Sequence, residues 1–199
     1  MKATQKLDDS ELLHLAIRAS QENRHEDAIG LLKQALDVAP NNAKVHYMLG
    51  AEHAEIGLYD RAADEMAKAT ELDPSLVTAS FQLGLLHITS GRVTHAEKAW
   101  EPLDKLGADH PLFLFKAGLL HLARDEFDEC VTMLEKGISL NTANEALNND
   151  MRRILGDVNA RRKNGAESEP AAETSGKQKS KYPKHVLLSA YRENKEDKD

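Results

Sequence analysis

The sequence lacks the residues that build a disulfide framework and the long apolar runs that cross a membrane. Its one cysteine, Cys130, cannot form an internal disulfide, which is compatible with a reducing compartment. No stretch approaches the roughly 18 uninterrupted apolar residues of a membrane-spanning helix. Residues 1–10 are polar and contain no apolar segment typical of a signal peptide. We therefore expect a cytoplasmic protein without a membrane span.

Aromatic residues and clustered basic charge are also scarce. Aromatics make up 5% of the 199 residues, whereas Ala, Leu, Glu and Lys recur throughout, which favours an all-α fold over a sandwich or a barrel. Residues 1–158 carry 16 Lys and Arg against 26 Asp and Glu, and residues 159–199 carry 10 against 7. Because binding to phosphate groups needs a clustered basic face, we expect no nucleic-acid partner for this acidic body.

What the sequence does contain is a repeat of 34 residues, most visible in Gly50, Gly84 and Gly118. The same shift also aligns three further sets of positions: Leu13, Tyr47, Phe81 and Phe115; Ala28, Ala62, Ala96 and Cys130; Leu15, Leu49, Leu83 and Ala117. Pro40 and Pro74 keep the period as well. A repeat of this length, present in four copies, is typical of a helical solenoid.

Each copy divides into two apolar-periodic segments joined by a short polar turn, as in residues 43–56 and 58–72 around Gly57. This pattern predicts a helical hairpin. The repeated glycine lies inside the first helix, where it costs about 1 kcal/mol relative to alanine. We therefore expect the second helix to approach closely at Gly50, Gly84 and Gly118.

These residues resemble the tetratricopeptide repeat, whose pattern is a large residue, then Leu-Gly, then Tyr, and later Ala, Phe, Ala and Pro. In three copies of this sequence His replaces the Tyr. The second copy matches best, with Leu49, Gly50, Ala62, Met66, Ala69 and Pro74. The resemblance implies an all-α solenoid of four hairpins over residues 9–42, 43–76, 77–110 and 111–142. Copies three and four lack the closing proline, and Pro102 is expected to kink or end the second helix of copy three near Trp100.

The segments that flank the array differ from it in composition. Residues 1–8 are predicted to be an N-terminal extension, and residues 143–158 a capping helix that covers the last hairpin. Residues 159–181 have no periodicity and predict a flexible linker. Residues 182–199 contain a predicted short amphipathic helix with the motif Tyr182, Val186, Leu187, Ala190 and Tyr191. This tail either docks on the array, in its own chain or in a second copy, or serves a second protein.

Residues that could carry chemistry do not converge. The histidines at one repeat interval, His53, His87 and His121, would lie a helix-packing distance of about 8–10 Å or more apart, too far for one zinc ion. Cys130 occupies a position that holds alanine in the other copies, which favours a packed thiol over a nucleophile. Phosphate-binding, nucleophile-elbow and metalloprotease motifs are absent. We therefore expect no enzyme, metal site or cofactor.

The resemblance also implies a peptide-binding groove lined by the first helix of each hairpin. The predicted groove residues are Leu13, Ile17, Lys44, Tyr47, Ala51, Phe81, Leu85, Ile88, Phe115, Leu119 and Leu122. Lys44 is the one charge among them, so we expect an apolar or amphipathic segment as ligand rather than a terminal carboxylate. For each aromatic taken singly, packing between helices is an equally good interpretation.

The sequence thus predicts a protein-interaction scaffold or adaptor that binds such a segment in its groove. Two alternatives stay open at this point. One is a chaperone similar to the small tetratricopeptide chaperones of bacterial secretion systems, which hold aggregation-prone clients before export. The other is a regulatory subunit that anchors an enzyme through its basic tail.

Overall fold

The computed structural model describes residues 7–165, and side chains for residues 7–163. This part is helical and contains no strand, which confirms the predicted all-α repeat fold. The chain divides into two compact units, residues 1–83 and residues 84–199, and each is described separately. No helix among the described residues is both long enough and apolar enough to cross a membrane.

The first unit contains two complete hairpins. They are formed by α1 (Asp9–Gln21) with α2 (His25–Val38), and by α3 (Ala43–Glu55) with α4 (Tyr59–Leu72). A fifth helix, α5 (Val77–Thr89), begins in this unit and ends in the second. The second unit continues with α6 (Val93–Ala99), a 3-10 helix (Glu101–Leu106), α7 (Pro111–Ala123), α8 (Phe127–Leu140) and α9 (Glu145–Gly165).

Helices α1 and α3, the first helices of copies one and two, each begin with a side-chain cap. Asp8 accepts a hydrogen bond from the amide of Glu11, whose carboxylate accepts one from the amide of Asp8, so that α1 starts with a reciprocal cap. Asn42 accepts from the amides of Lys44 and Val45 at the start of α3. Helices α1, α3, α5 and α7 start at residues 9, 43, 77 and 111, the same residues that begin the four sequence copies.

One turn geometry joins the two helices of every copy. Residues Asn23, Gly57, Gly91 and Asp125, spaced by the repeat, have positive φ angles of 57°, 79°, 74° and 60°. The amide that follows each of them donates to a carbonyl five residues back, as Leu58 does to His53 at 2.8 Å. This is a Schellman-type helix end, which satisfies the last carbonyls of the first helix and reverses the chain into a hairpin.

The repeated glycines lie where the second helix of the hairpin comes closest. A Cβ built at Gly50 would lie 2.8 Å from Met66 Cγ and 3.1 Å from the carbonyl oxygen of Ala62 on α4. A Cβ at Gly118 would lie 2.7 Å from Leu134 Cδ2 on α8. These separations are too short for real side-chain contacts, which confirms the predicted close approach.

The second helix of copy three is broken at Pro102, as predicted. Helix α6 ends at Ala99 and a 3-10 helix follows from Glu101 to Leu106, because proline has no amide hydrogen with which to continue the α-helical ladder. The carbonyl of Trp100 accepts from the amide of Leu103 at 3.0 Å and from Lys116 Nζ at 3.4 Å. Lys116 Nζ also lies 2.5 Å from Asp104 Oδ1, so this lysine of α7 stabilises the irregular segment.

The capping helix is longer than predicted. Helix α9 continues past Val158, the predicted end, to Gly165, so the predicted linker boundary at residue 159 is too early. Ala160, Arg161 and other strong helix formers extend the helix, and Arg162 Nη2 lies 2.5 Å from Asp128 Oδ1 of α8. The rest of the predicted linker, residues 166–181, and the tail motif lie outside the described residues.

Candidate functional site

The predicted groove residues of the first unit differ in exposure. On α1, Leu13 and Ile17 are half-buried, and Lys44 at the start of α3 is exposed. Tyr47 and Ala51 of α3 are buried. The accessible part of this face therefore lies on α1 and at the first turn of α3.

The predicted groove residues at the end of the first unit and throughout the second are buried. They are Phe81, Leu85, Ile88, Phe115, Leu119 and Leu122, each at most 1% exposed. With Tyr47 and Ala51, eight of the eleven predicted residues are buried, so the structure does not present them as an open apolar surface. Their role as peptide contacts stays a prediction.

Phe115 shows one physical reason for this burial. A Cβ built at Gly137 of α8 would lie 2.5 Å from Phe115 Cε1, so the ring occupies the space that the glycine leaves open. Phe115 therefore packs between the two helices of copy four, the alternative that the sequence left open for each aromatic. Gly137, a glycine inside a predicted helix, was the sequence signal for this contact.

A polar residue outside the predicted set of groove residues lies at the same face. Gln82 of α5 is 1% exposed, and within residues 7–163 neither its amide nitrogen nor its amide oxygen has a hydrogen-bond partner. One repeat earlier the equivalent residue is Met48, two positions before Gly50 and therefore about 160° around α3 from the glycine that faces α4. Gln82 thus carries an unpaired donor and acceptor at an inner-face position of its helix.

The histidines at the repeat interval lie in three different settings. Burial lowers the pKa of His53, and burial lowers the pKa of His87 to about 4, with smaller contributions from the charges of Arg92 and His95. The rings of His87 and His95 are 5.4 Å apart, and His121 Nδ1 lies 2.6 Å from Glu126 Oε2. Within residues 7–163, no three His, Cys, Asp or Glu side chains come close enough to hold a metal ion.

Cys130 has the environment of a core residue. Its side chain is fully buried on α8, and burial raises the pKa of the thiol to about 11. Because the thiolate is the nucleophile, this cysteine has almost no reactive form at neutral pH. Cys130 therefore lacks the electropositive, accessible setting of a catalytic thiol.

Comparison with known proteins agrees with the hairpin geometry. The family model of the tetratricopeptide repeat matches residues 13–77 and, in a second overlapping register, residues 47–111. The chain belongs to the tetratricopeptide-repeat family. Proteins of this family are typically non-enzymatic scaffolds for protein–protein interaction.

One curated relative is the protein CTR9 homolog of Arabidopsis thaliana. The two are 32% identical over 110 residues, which cover 53% of this chain and 10% of the relative. The chain thus spans about a tenth of the length of that relative. The match therefore transfers no partner to this chain.

Solved structures with the same fold include two bacterial proteins. MamA from Desulfovibrio magneticus RS-1 has a TM-score of 0.61 and 20% identity, over 80% of this chain and 89% of that chain. A tetratricopeptide repeat protein from Parabacteroides merdae has a TM-score of 0.66 and 19% identity, over 85% of this chain and 69% of that chain. At these identities the likeness shows the fold alone.

Proposed function

We propose that this tetratricopeptide-repeat chain is a scaffold that binds an apolar or amphipathic protein segment along the inner face of its first helices, and that Gln82 holds the main chain of that segment. The family and the fold support a protein-interaction role in general. The observation that carries the finer proposal is the buried, unpaired amide of Gln82.

The unpaired amide is costly unless a ligand uses it. A buried polar group without a hydrogen bond costs about 1–3 kcal/mol, so each such group in a folded protein needs an explanation. A glutamine side chain offers N–H donors and a carbonyl acceptor side by side, which match the carbonyl and amide of a peptide backbone. A bound segment that pairs with Gln82 regains this energy in the complex.

The other inner-face residues of the first unit favour an apolar ligand. Phe81, which precedes Gln82 in the chain, and the inner-face residues Tyr47 and Ala51 of α3 are apolar or aromatic and buried. Leu13 and Ile17 of α1 add two half-buried apolar side chains. Among the predicted groove residues, Lys44 is the one exposed charge. A segment would engage α1 and Lys44 first and reach the buried positions by local rearrangement.

Partner capture followed by mass spectrometry tests this site. We compare wild type with Leu13→Glu, which places a charge on the accessible inner face of α1, and with Val38→Glu on the exposed surface of α2. Wild type and Val38→Glu are expected to retain the same proteins, whereas Leu13→Glu loses them because its charge would be desolvated in an apolar contact. Equal recovery by all three proteins contradicts the proposed face.

The same experiment separates the remaining alternatives. One client recovered in stoichiometric amount favours the secretion-type chaperone, and several partners favour the scaffold. An enzyme that is recovered with wild type and Leu13→Glu alike, but is lost on removal of residues 182–199, favours the regulatory subunit anchored by its tail.

A further inference from the structure

We propose that the segment bound by the first unit is acidic as well as apolar, and that Arg18 of α1 and Lys44 of α3 recognise its carboxylates. This proposal rests on the proposed function and adds the chemical class of the partner segment. It is carried by the charges that lie beside Leu13 and Ile17, the accessible apolar residues of α1.

Arg18 lies next to the accessible apolar stripe of α1. Leu13 and Ile17 are four residues apart, so they share one side of the helix, and both are half-buried. Arg18 follows Ile17 directly and lies about 100° around the helix from it, at an exposed position. A helical segment that covers Leu13 and Ile17 therefore brings its flank within reach of the arginine side chain.

The charge of Arg18 is not used inside the first unit. Two acidic residues, Glu11 and Glu22, lie within about 40° of it around the helix. Glu11 accepts a hydrogen bond from the amide of Asp8 at 2.9 Å, and Glu22 pairs with Arg24 at 2.8 Å. Within residues 7–163 Arg18 takes part in no ion pair. Its guanidinium group is therefore available to a carboxylate of a ligand.

Lys44 adds a second positive charge at the start of α3. It is exposed, and it makes no ion pair with any residue that the structure describes. Hydrogen bonds from Ser75 lower the pKa of Asp73, with a smaller contribution from the charge of Lys44, and Ser75 Oγ lies 2.6 Å from Asp73 Oδ1. Glu55 lies on the same side of α3 but about 16 Å along the helix, beyond the Debye length of about 8 Å at physiological salt.

The charge of the rest of the protein makes these two cations selective. Residues 1–158 carry 26 acidic against 16 basic residues, and this acidic excess repels an acidic segment elsewhere on the body. At physiological salt, screening over about 8 Å confines each interaction to near neighbours. Arg18 and Lys44 therefore dominate the potential beside Leu13 and Ile17, and an acidic segment is attracted there.

Arg18 also has a structural role that the test must separate from recognition. It lies in the last turn of α1, where a positive charge stabilises the helix through its dipole. That stabilisation does not depend on the charge of a ligand. A comparison of two ligands of opposite charge on the same protein therefore isolates recognition from stability.

Two synthetic amphipathic helical peptides test the recognition. Both have the same leucine stripe, and the flanks of the stripe carry glutamate in one peptide and lysine in the other. We expect fluorescence anisotropy with the full-length protein to show about tenfold tighter binding of the glutamate peptide at low salt. The preference should shrink at about 1 M salt, where the Debye length is about 3 Å. Equal binding, tighter binding of the lysine peptide, or binding of neither peptide overturns the proposal.

Charge reversal assigns the preference to the two residues. The double variant Arg18→Glu with Lys44→Glu should lose the preference for the glutamate peptide. The control with the same net charge is Lys33→Glu with Lys68→Glu, at exposed positions of α2 and α4, and it should keep the preference. Circular dichroism checks that both double variants are folded. Equal loss in the two would show that net charge alone sets the preference, and would overturn the assignment.

Failure of this proposal is distinguishable from failure of the proposed function. If Leu13→Glu loses the captured proteins but the two peptides bind equally, the face binds a segment without acidic residues and only the present proposal is wrong. If Leu13→Glu and wild type recover the same proteins, the proposed face itself is wrong. A dimeric mass by light scattering that becomes monomeric in the Arg18→Glu, Lys44→Glu variant would make a second copy of this chain the occupant and would contradict an external partner.

Discussion

The indole ring of Trp100 occupies the space that any side chain at residue 84 would need. A Cβ built at Gly84 would lie 2.0 Å from Trp100 Nε1, the shortest of the three hairpin contacts made at the repeated glycines. Trp100 is fully buried and ends α6 just before the 3-10 helix. The hairpin of copy three therefore depends on this glycine despite its broken second helix.

Gly84→Ala is expected to destabilise the protein by about 1–3 kcal/mol, because the new methyl group forces the indole out of its site. Chemical denaturation followed by circular dichroism measures the change.

Gly30→Ala is the matched control, since Gly30 also lies inside a helix but a Cβ there would meet nothing within 4 Å. This variant should be more stable than wild type by up to about 1 kcal/mol. If the two variants have the same stability, the contact with Trp100 is not as tight as described.

The contact between Phe115 and Gly137 predicts a coupled pair of substitutions. Gly137→Ala alone should destabilise by about 1–3 kcal/mol, because its methyl group meets the Phe115 ring. In a Phe115→Leu background the same change should cost much less, since the smaller side chain vacates the space. A double-mutant cycle measures the coupling, expected to be about 0.5–3 kcal/mol.

If the losses of stability in the two single variants simply add up in the double variant, Phe115 does not pack against α8. In that case the ring would return to the set of groove residues available to a ligand.

The half-buried His87 predicts a pH dependence of stability. Its pKa is about 4 in the folded protein against 6.5 in the unfolded chain, mainly because of burial. Between these pH values the unfolded state binds the extra proton, so the contribution of His87 is fully present above about pH 6.5 and is lost as the pH falls toward 4. This one group changes the free energy of unfolding by at most about 1.4 kcal/mol per pH unit.

Thermal melts of wild type and His87→Gln between pH 4 and pH 7.5 measure that contribution as the difference between the two curves. The wild-type protein should lose stability more steeply on acidification. Burial also lowers the pKa of His53, so His87→Gln keeps part of the dependence of stability on pH. Parallel curves would contradict the assignment to His87.

The repeat alone was sufficient to predict most of the fold. The shift of 34 residues located the hairpins, and the glycines at Gly50, Gly84 and Gly118 predicted where the helices touch. Pro102 predicted the break in copy three, because the missing amide hydrogen is a local property of the chain. The end of α9 was missed because its last residues are solvated and lack the apolar period that marks a buried helix face.

The candidate site was less predictable. Periodicity assigns Phe81, Leu119 and Phe115 to one face of their helices, but burial of that face depends on packing between distant segments. For Phe115, only the contact with Gly137 distinguishes packing between helices from contact with a ligand. The importance of Gln82 could not be read from its residue type either, since it follows from the lack of a hydrogen-bond partner in the described part of the folded chain.

The proposed role of Gln82 is tested most directly by measuring stability and partner affinity on the same variant, Gln82→Leu. We predict that its melting temperature is equal to or above that of wild type, because an unpaired buried amide is removed, while its affinity for the captured partner falls about 10- to 100-fold. Gln34→Leu, the same change at an exposed position of α2, should leave the affinity unchanged. A Gln82→Leu protein that is stable and binds with wild-type affinity would contradict the proposed site.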